Sequence, residues 1–106
     1  MDDSLFYERR ARICQVLADA KRLRLIDALR DEVERSVGEL AEVIGATYPN
    51  VSQHLNVMRD AGLVVSRREG NTIYYRLAYP QITNACDIVS DVLRAQLAEL
   101  SALTHG

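Results

Sequence analysis

The stretch SVGELAEVIGATYPNVSQHLNVMRDAGLVVSRREGNTIYYRL, residues 36–77, predicts two short helices joined by a tight turn and followed by a β-hairpin. Ser36 and Glu39 form a Ser-x-x-Glu capping box, which opens a helix because the two side chains satisfy amides that lack a partner within it. An apolar stripe at helical spacing then continues to Gly45, a residue that tolerates the left-handed backbone of a helix end. The first of the two helices is therefore about two and a half turns long.

The second helix is predicted to start after Thr47, a favourable N-cap residue, with Pro49 in its first turn, where no hydrogen bond is lost. One face of this helix is apolar. The other face carries hydroxyls, amides and an imidazole with almost no charge, from Tyr48, Asn50, Ser52, Gln53, His54 and Asn56. Such groups can pair with base edges in a DNA major groove, so we expect DNA contacts from these residues and from Thr47. Taken alone, the same face is also typical of a polar surface helix with a satisfied histidine.

The hairpin is predicted from two β-branched and aromatic runs, residues 64–68 and 73–77, around a turn in which Gly70 and Asn71 can take positive φ. It carries two adjacent arginines, Arg67 and Arg68, beside a polar tip that includes Asn71 and Thr72. Arginines on a twisted ribbon next to a reading helix can reach phosphates or a minor groove. These four residues are therefore the expected contacts of a DNA-binding wing.

Helices are also predicted on both sides of this central stretch. A first helix is predicted over residues about 4–18. Asp19 can cap the start of a second helix. Residues 31–35 are nearly all charged, which predicts a linker. The last and longest helix, residues about 81–103, has an apolar stripe made of Ile82, Cys86, Val89, Leu93, Leu97, Leu100 and Leu103. Because one small protomer cannot cover such a stripe, we expect it to pack on a second copy about a two-fold axis. A two-fold dimer places its reading helices about 34 to 36 Å apart, so its operator should be an inverted repeat.

Composition and charge are consistent with a single domain over residues 1–106. Hydrophobic residues make up 48% of the chain, which is enough for a packed core. The net charge of -2 argues against a protein that coats nucleic acid nonspecifically, but residues 47–77 carry four arginines against two acidic residues.

No apolar run approaches a membrane span, and the acidic start Met1-Asp-Asp-Ser is unlike a signal peptide. We therefore expect a cytoplasmic protein without a membrane partner.

Five sequence motifs in order resemble the ArsR/SmtB family of small bacterial and archaeal winged-helix repressors. They are LADAKRLRL (17–25), SVGELA (36–41), VSQHL (51–55), RDAGL (59–63) and RREGNTIYYRL (67–77). The resemblance implies a mainly helical winged helix-turn-helix with five helices, in which the first and last helices form a dimer interface. It places the helix-turn-helix at about 36–60 and the wing at about 64–77. It also implies a sequence-specific homodimeric repressor that a small inducer releases from DNA, and not an enzyme.

The resemblance is less informative about the inducer. The arsenic-responsive branch of the family carries a Cys-x-Cys pair before the turn, and the matching residues here are Ala41 and Val43. The zinc-responsive branch uses Asp and His pairs on the last helix, but that helix holds Asp87, Asp91 and Glu99, with no histidine before His105. Neither metal site is complete, so the sequence assigns no metal ligands.

Two cysteines, Cys14 and Cys86, lie one on each of the predicted dimer helices. They are interpreted either as inert packing residues or as an inducer sensor that responds to thiol oxidation, to persulfide or to a soft metal or metalloid. Two thiolates alone would leave a metal short of ligands unless both protomers contribute.

Two other classes of function are open to this sequence. A winged-helix module can bind protein instead of DNA, because a fold does not determine function. Such a module would expose apolar residues where this chain has amides and arginines. An enzyme would need one of the two cysteines next to His54 or His105, and none of these residues has a spacing that suggests pairing.

Overall fold

The computed structural model describes residues 3–105, which form five helices and a three-stranded antiparallel sheet. In chain order the elements are α1 (Asp3–Leu17), α2 (Ala20–Ala28), β1 (Arg35–Ser36), α3 (Val37–Ile44), α4 (Tyr48–Asp60), β2 (Val64–Glu69), β3 (Thr72–Leu77) and α5 (Ile82–His105). The predicted mainly helical fold with a β-hairpin after the two central helices is confirmed.

The ends of α3 and the start of α4 are marked by the capping residues that the sequence indicated. The Ser36 hydroxyl accepts a hydrogen bond from the Glu39 amide at 3.1 Å, and the Glu39 carboxylate accepts one from the Ser36 amide at 3.2 Å. Gly45 ends α3 with φ +68°, and the Thr47 hydroxyl accepts from the Asn50 amide at 3.3 Å to start α4. The start of α3, its end at Gly45 and the start of α4 therefore carry the caps that the sequence predicted.

The sheet contains one strand more than the predicted hairpin. β2 and β3 pair so that Arg67 lies opposite Tyr74, and β1 adds to the other edge of β3 with Arg35 opposite Tyr75. Residues 31–35, expected to be a linker, therefore lead through a tight turn into a strand. A two-residue strand has too few positions to show an alternating pattern, so sequence periodicity could not reveal it. At the hairpin tip, Gly70 takes positive φ (+61°) but Asn71 does not.

The buried core lies beneath the helix-turn-helix and is formed by α1 to α4 with the sheet. Its members are Val16, Leu25, Ile26, Leu29, Val37, Leu40, Val51, Leu55, Met58, Leu63, Val64, Tyr75 and Leu77. From α5, Ile82 and Cys86 pack against this core. The start of α5 is therefore attached to the rest of the protomer.

Beyond its first turns, α5 carries a long apolar surface that the protomer leaves uncovered. Leu97 is 55% exposed, and Ile88, Val89, Val92, Leu93, Leu100 and Leu103 are all more than half exposed. Leu5, Phe6 and Tyr7 of α1 are also exposed. A contiguous apolar surface of this kind is typical of a protein interface. Within residues 3–105, no helix combines the length and the apolar character needed to cross a membrane.

Candidate nucleic-acid interface

The outward face of α4 is the centre of the candidate interface. Val51, Leu55 and Met58 bury one side of the helix in the core. Because successive residues are rotated by about 100°, Gln53 and Asn56 lie on the opposite side, and both are exposed. Neither side chain has a hydrogen-bond partner or an ion pair among residues 3–105. These two amides are free to pair with an external molecule.

One flank of α4 packs against the start of α2. Lys21 Nζ donates a hydrogen bond to Asn50 Oδ1 at 3.1 Å. One turn further along α4, His54 Nδ1 lies 3.4 Å from an Arg22 guanidinium nitrogen and 4.0 Å from a carboxylate oxygen of Asp19. His54 was predicted as a DNA contact, but its side chain is only 17% exposed and belongs to this cluster.

Asp19 holds the start of α2 in place. Its carboxylate accepts hydrogen bonds from the backbone amides of Lys21, at 2.9 Å, and Arg22, at 3.1 Å. The hydrogen bond from the Arg22 amide is the largest cause that lowers the pKa of Asp19, and the charges of His54 and Arg22 lower it further. Arg22 Nε also donates to the carbonyl oxygen of Val16. Sequence reasoning missed the contacts of Lys21 and Arg22 with α4, although these two cations in the first turn after the N-cap Asp19 are a visible signal.

The other flank of α4 faces the tip of the hairpin. Tyr48 is 53% exposed and lines an open cleft together with Asn71, Thr72 and Ile73 from the hairpin. Residues 36–38, the N-cap and first residues of α3, also line this cleft. The structure therefore brings together three residues that the sequence predicted separately, Tyr48, Asn71 and Thr72.

The two wing arginines lie on opposite faces of β2, because side chains alternate along a strand. Arg67 pairs with Glu34 at 2.6 Å and Glu69 at 2.9 Å, and its guanidinium carbon lies 4.6 Å from the centre of the Tyr74 ring. Its hydrogen bond to Glu34 lowers the pKa of that carboxyl. Arg67 is therefore committed to contacts within the protein.

Arg68 lies on the other face of β2, and its cross-strand partner on β3 is Ile73. Its Nε donates to the carbonyl oxygen of Gly70 at 3.1 Å, and no ion pair neutralises it within residues 3–105. Its charge is therefore available at the hairpin tip, unlike that of Arg67.

The two cysteines have different surroundings. Cys14 is an exposed free thiol on α1, whereas Cys86 is a partly buried free thiol on α5. Burial raises the pKa of Cys86, and the nearby charges of Asp27 and Asp87 raise it further. Arg30 bonds to both of these carboxylates and so joins α2 to α5 beside the thiol. Within the described residues of one protomer, no group of three or more His, Cys, Asp or Glu side chains could hold a metal ion.

The sequence pattern of the family described as "Bacterial regulatory protein, arsR family" matches residues 19–66. Over 104 residues, the chain is 35% identical to the uncharacterized HTH-type transcriptional regulator Rv0081 of Mycobacterium tuberculosis, and the alignment covers 97% of this chain and 90% of that one. This chain belongs to the ArsR family. The arsenical resistance operon repressor of Escherichia coli is a more distant relative of this chain. The two are 27% identical over 92 residues, which cover 87% of this chain and 79% of the relative.

Solved structures of related proteins have the same architecture as this ArsR-family chain. The crystal structure of Rv0081 superposes with a TM-score of 0.75 at 37% identity, covering 89% of this chain and 94% of that one. A homodimeric winged helix-turn-helix DNA-binding domain from Mycobacterium bovis, solved by NMR, superposes with a TM-score of 0.78 at 30% identity, covering 93% of each chain. The winged helix-turn-helix prediction is therefore confirmed, and the chain is a DNA-binding transcription regulator of the ArsR type, not an enzyme.

Proposed function

We propose that this chain is a homodimeric repressor that reads an inverted-repeat operator with α4 and releases it when a thiol-reactive inducer binds. The observation that carries the proposal is the outward face of α4, where Gln53 and Asn56 are exposed and have no partner among residues 3–105. Amides can both donate to and accept from base edges, whereas a merely solvated helix face is usually charged.

We propose different roles for the predicted contacts according to where their side chains lie. Gln53 and Asn56 face the bases at the centre of the groove. Further contacts come from the two flanks and the start of α4, namely Asn50, Ser52, Tyr48 and Thr47. Arg68, Asn71 and Thr72 act from the wing on phosphates or on the minor groove. His54 and Arg67, also predicted as DNA contacts, are engaged within the protein, and we assign them a supporting role on the α2 side of α4 and within the wing, respectively.

The proposed dimer is formed by α1 and α5. The apolar side chains of α5 from Ile88 to Leu103, together with Leu5, Phe6 and Tyr7, are exposed in one protomer and would be covered by a second copy. The M. bovis domain is a homodimer, which supports this assembly. In the dimer the whole chain acts as one domain, with two α4 helices presented to successive major grooves. Because the target is DNA, we place the protein in the cytoplasm.

We propose Cys14 and Cys86 as the sensor, with a thiol-reactive species as the inducer. A resident metal fits less well, because the described residues of one protomer offer no set of three ligands. Oxidation of two thiols to a disulfide transfers two electrons and two protons, which reduce one peroxide to two waters. The link between Cys86 and the reading helix would run through Arg30, which joins α5 to α2.

The test is fluorescence anisotropy with DNA from upstream of the chain's own gene. Reduced protein is compared with protein exposed to persulfide, peroxide, arsenite and divalent metals, with Cys14→Ser and Cys86→Ser as matched variants. We expect one treatment to release DNA from the wild type and not from the variants. Release from the variants as well would show that the cysteines are packing residues. Failure of the reduced protein to bind DNA would favour the protein-binding alternative.

A further inference from the structure

The hydrogen bond between α2 and α4 determines the orientation of the Asn50 amide. Lys21 Nζ lies 3.1 Å from Asn50 Oδ1. An ammonium group has three donors and no acceptor, so the atom of the Asn50 amide that faces Lys21 must be the oxygen. The Nδ2 group, which has two donor hydrogens, is then directed away from Lys21.

The position of Lys21 relative to α4 is held by several further contacts. Its backbone amide donates to the Asp19 carboxylate at 2.9 Å, and the next amide, of Arg22, donates to the same oxygen at 3.1 Å. One turn along α4, His54 contacts both Asp19 and Arg22. The first turn of α2 is therefore attached to α4 at two points, and Lys21 can reach Asn50 without a change in the backbone.

We propose that Lys21 determines sequence specificity by fixing Asn50 as a hydrogen-bond donor, so that this position of α4 selects guanine over adenine. The inference rests on the proposed reading of DNA by α4. Lys21, which lies outside the helix-turn-helix, thereby becomes a determinant of sequence specificity.

The preference follows from the groups that the two purines present in the major groove. An unrestrained asparagine reads adenine with both ends of its amide, donating to N7 and accepting from the N6 amino group. Here the accepting end is already bound to an ammonium, so an adenine amino hydrogen would approach a positive charge. Guanine presents only acceptors at this edge, N7 and O6, and either can take a hydrogen from the Asn50 Nδ2 group. The pair therefore favours guanine and disfavours adenine.

The test uses the full-length protein and the DNA duplex that it binds in the anisotropy experiment. Each purine of one half-site is replaced in turn by the other purine and by 7-deazaguanine, which lacks the N7 acceptor. Wild type is compared with Lys21→Met, Lys21→Arg and Asn50→Ala, with circular dichroism as a check of folding. At one position we expect wild type to prefer guanine over adenine by about tenfold, in the lower part of the range for a bidentate base contact.

At that position, Lys21→Met is expected to lose the guanine preference, and Lys21→Arg is expected to keep it because it retains a donor. The double variant Lys21→Met/Asn50→Ala should lose no more discrimination than Lys21→Met alone, because Lys21 acts through Asn50. Equal weakening of Lys21→Met on every duplex, together with a flatter salt dependence, would instead make Lys21 an ordinary phosphate contact and overturn the inference. A wild type that binds all duplexes equally would overturn the proposed function itself, which is a different result.

Discussion

Replacing Arg68 with alanine should weaken the binding of every DNA sequence and flatten its salt dependence, whereas Arg67→Ala should leave the salt dependence at the wild-type value. The two residues are neighbours with the same charge, so each is a matched control for the other. They differ in their surroundings, because Glu34 and Glu69 neutralise Arg67 and no acidic residue among residues 3–105 pairs with Arg68.

The magnitude follows from the number of phosphates released. In a dimer, Arg68→Ala removes one phosphate contact from each protomer. Since each contact contributes about 0.9 to the slope of log K against log salt, the slope should become shallower by about 1.8. Between about 50 and 200 mM salt, the wild type should therefore lose about twelvefold more affinity than the variant. If the wild-type dimer makes about six phosphate contacts, its own loss over this range is about a thousandfold.

The assay is fluorescence anisotropy on one duplex at four salt concentrations, for wild type, Arg68→Ala, Arg67→Ala and Glu34→Gln. Glu34→Gln removes one of the carboxylates that hold Arg67, so it should raise affinity for all sequences. An Arg67→Ala slope as shallow as that of Arg68→Ala would refute the assignment. It would show that Arg67 leaves Glu34 and binds phosphate in the complex.

Four further predictions concern recognition, assembly, stability and reactivity. Gln53→Ala should weaken binding of the operator by about 1–3 kcal/mol and hardly change binding of an unrelated duplex, as measured by anisotropy. Leu97→Glu should raise the dimer dissociation constant at least about a hundredfold in analytical ultracentrifugation, because burying a leucine contributes about 1.5–3 kcal/mol and the dimer has two copies. Ser36→Ala should lower the free energy of unfolding in urea by about 1 kcal/mol, because it removes the serine half of the capping box. At neutral pH, Cys86 should be alkylated more slowly in native protein than in urea, as followed by mass spectrometry, because its raised pKa keeps the thiol protonated. The difference between the two rates should shrink as the pH rises through that pKa.

Each of these experiments has a result that contradicts its premise. Equal loss on both duplexes would make Gln53 a backbone contact. An unchanged dimer in Leu97→Glu would place the interface elsewhere than on α5. Unaltered stability of Ser36→Ala would mean that β1 and not the cap starts α3. Equal alkylation of native and unfolded chains at neutral pH would show that Cys86 is more accessible than its packing indicates.

Local features of the chain were sufficient to predict most of the fold. The Ser36 to Glu39 capping box, Gly45, Thr47 and the apolar stripes of α3 and α4 all act between residues a few positions apart, and the structure contains each of them. The long apolar stripe of α5 was equally visible, because its signal is a period along one helix. Features of this kind can be read from sequence because the interacting residues are adjacent along the chain or one helical turn apart.

The partners of the polar side chains were decided only by the tertiary structure. Lys21 and Asn50 are 29 positions apart, Arg67 and Glu34 are 33 apart, and Arg30 and Asp87 are 57 apart. Whether two such residues meet depends on the packing of helices and strands around the common core, and no local period encodes it. The sequence thus showed that Arg67 and Arg68 lie on a wing. The sheet register and strand β1 placed Glu34 beside Arg67. They left Arg68 without an acidic partner among residues 3–105.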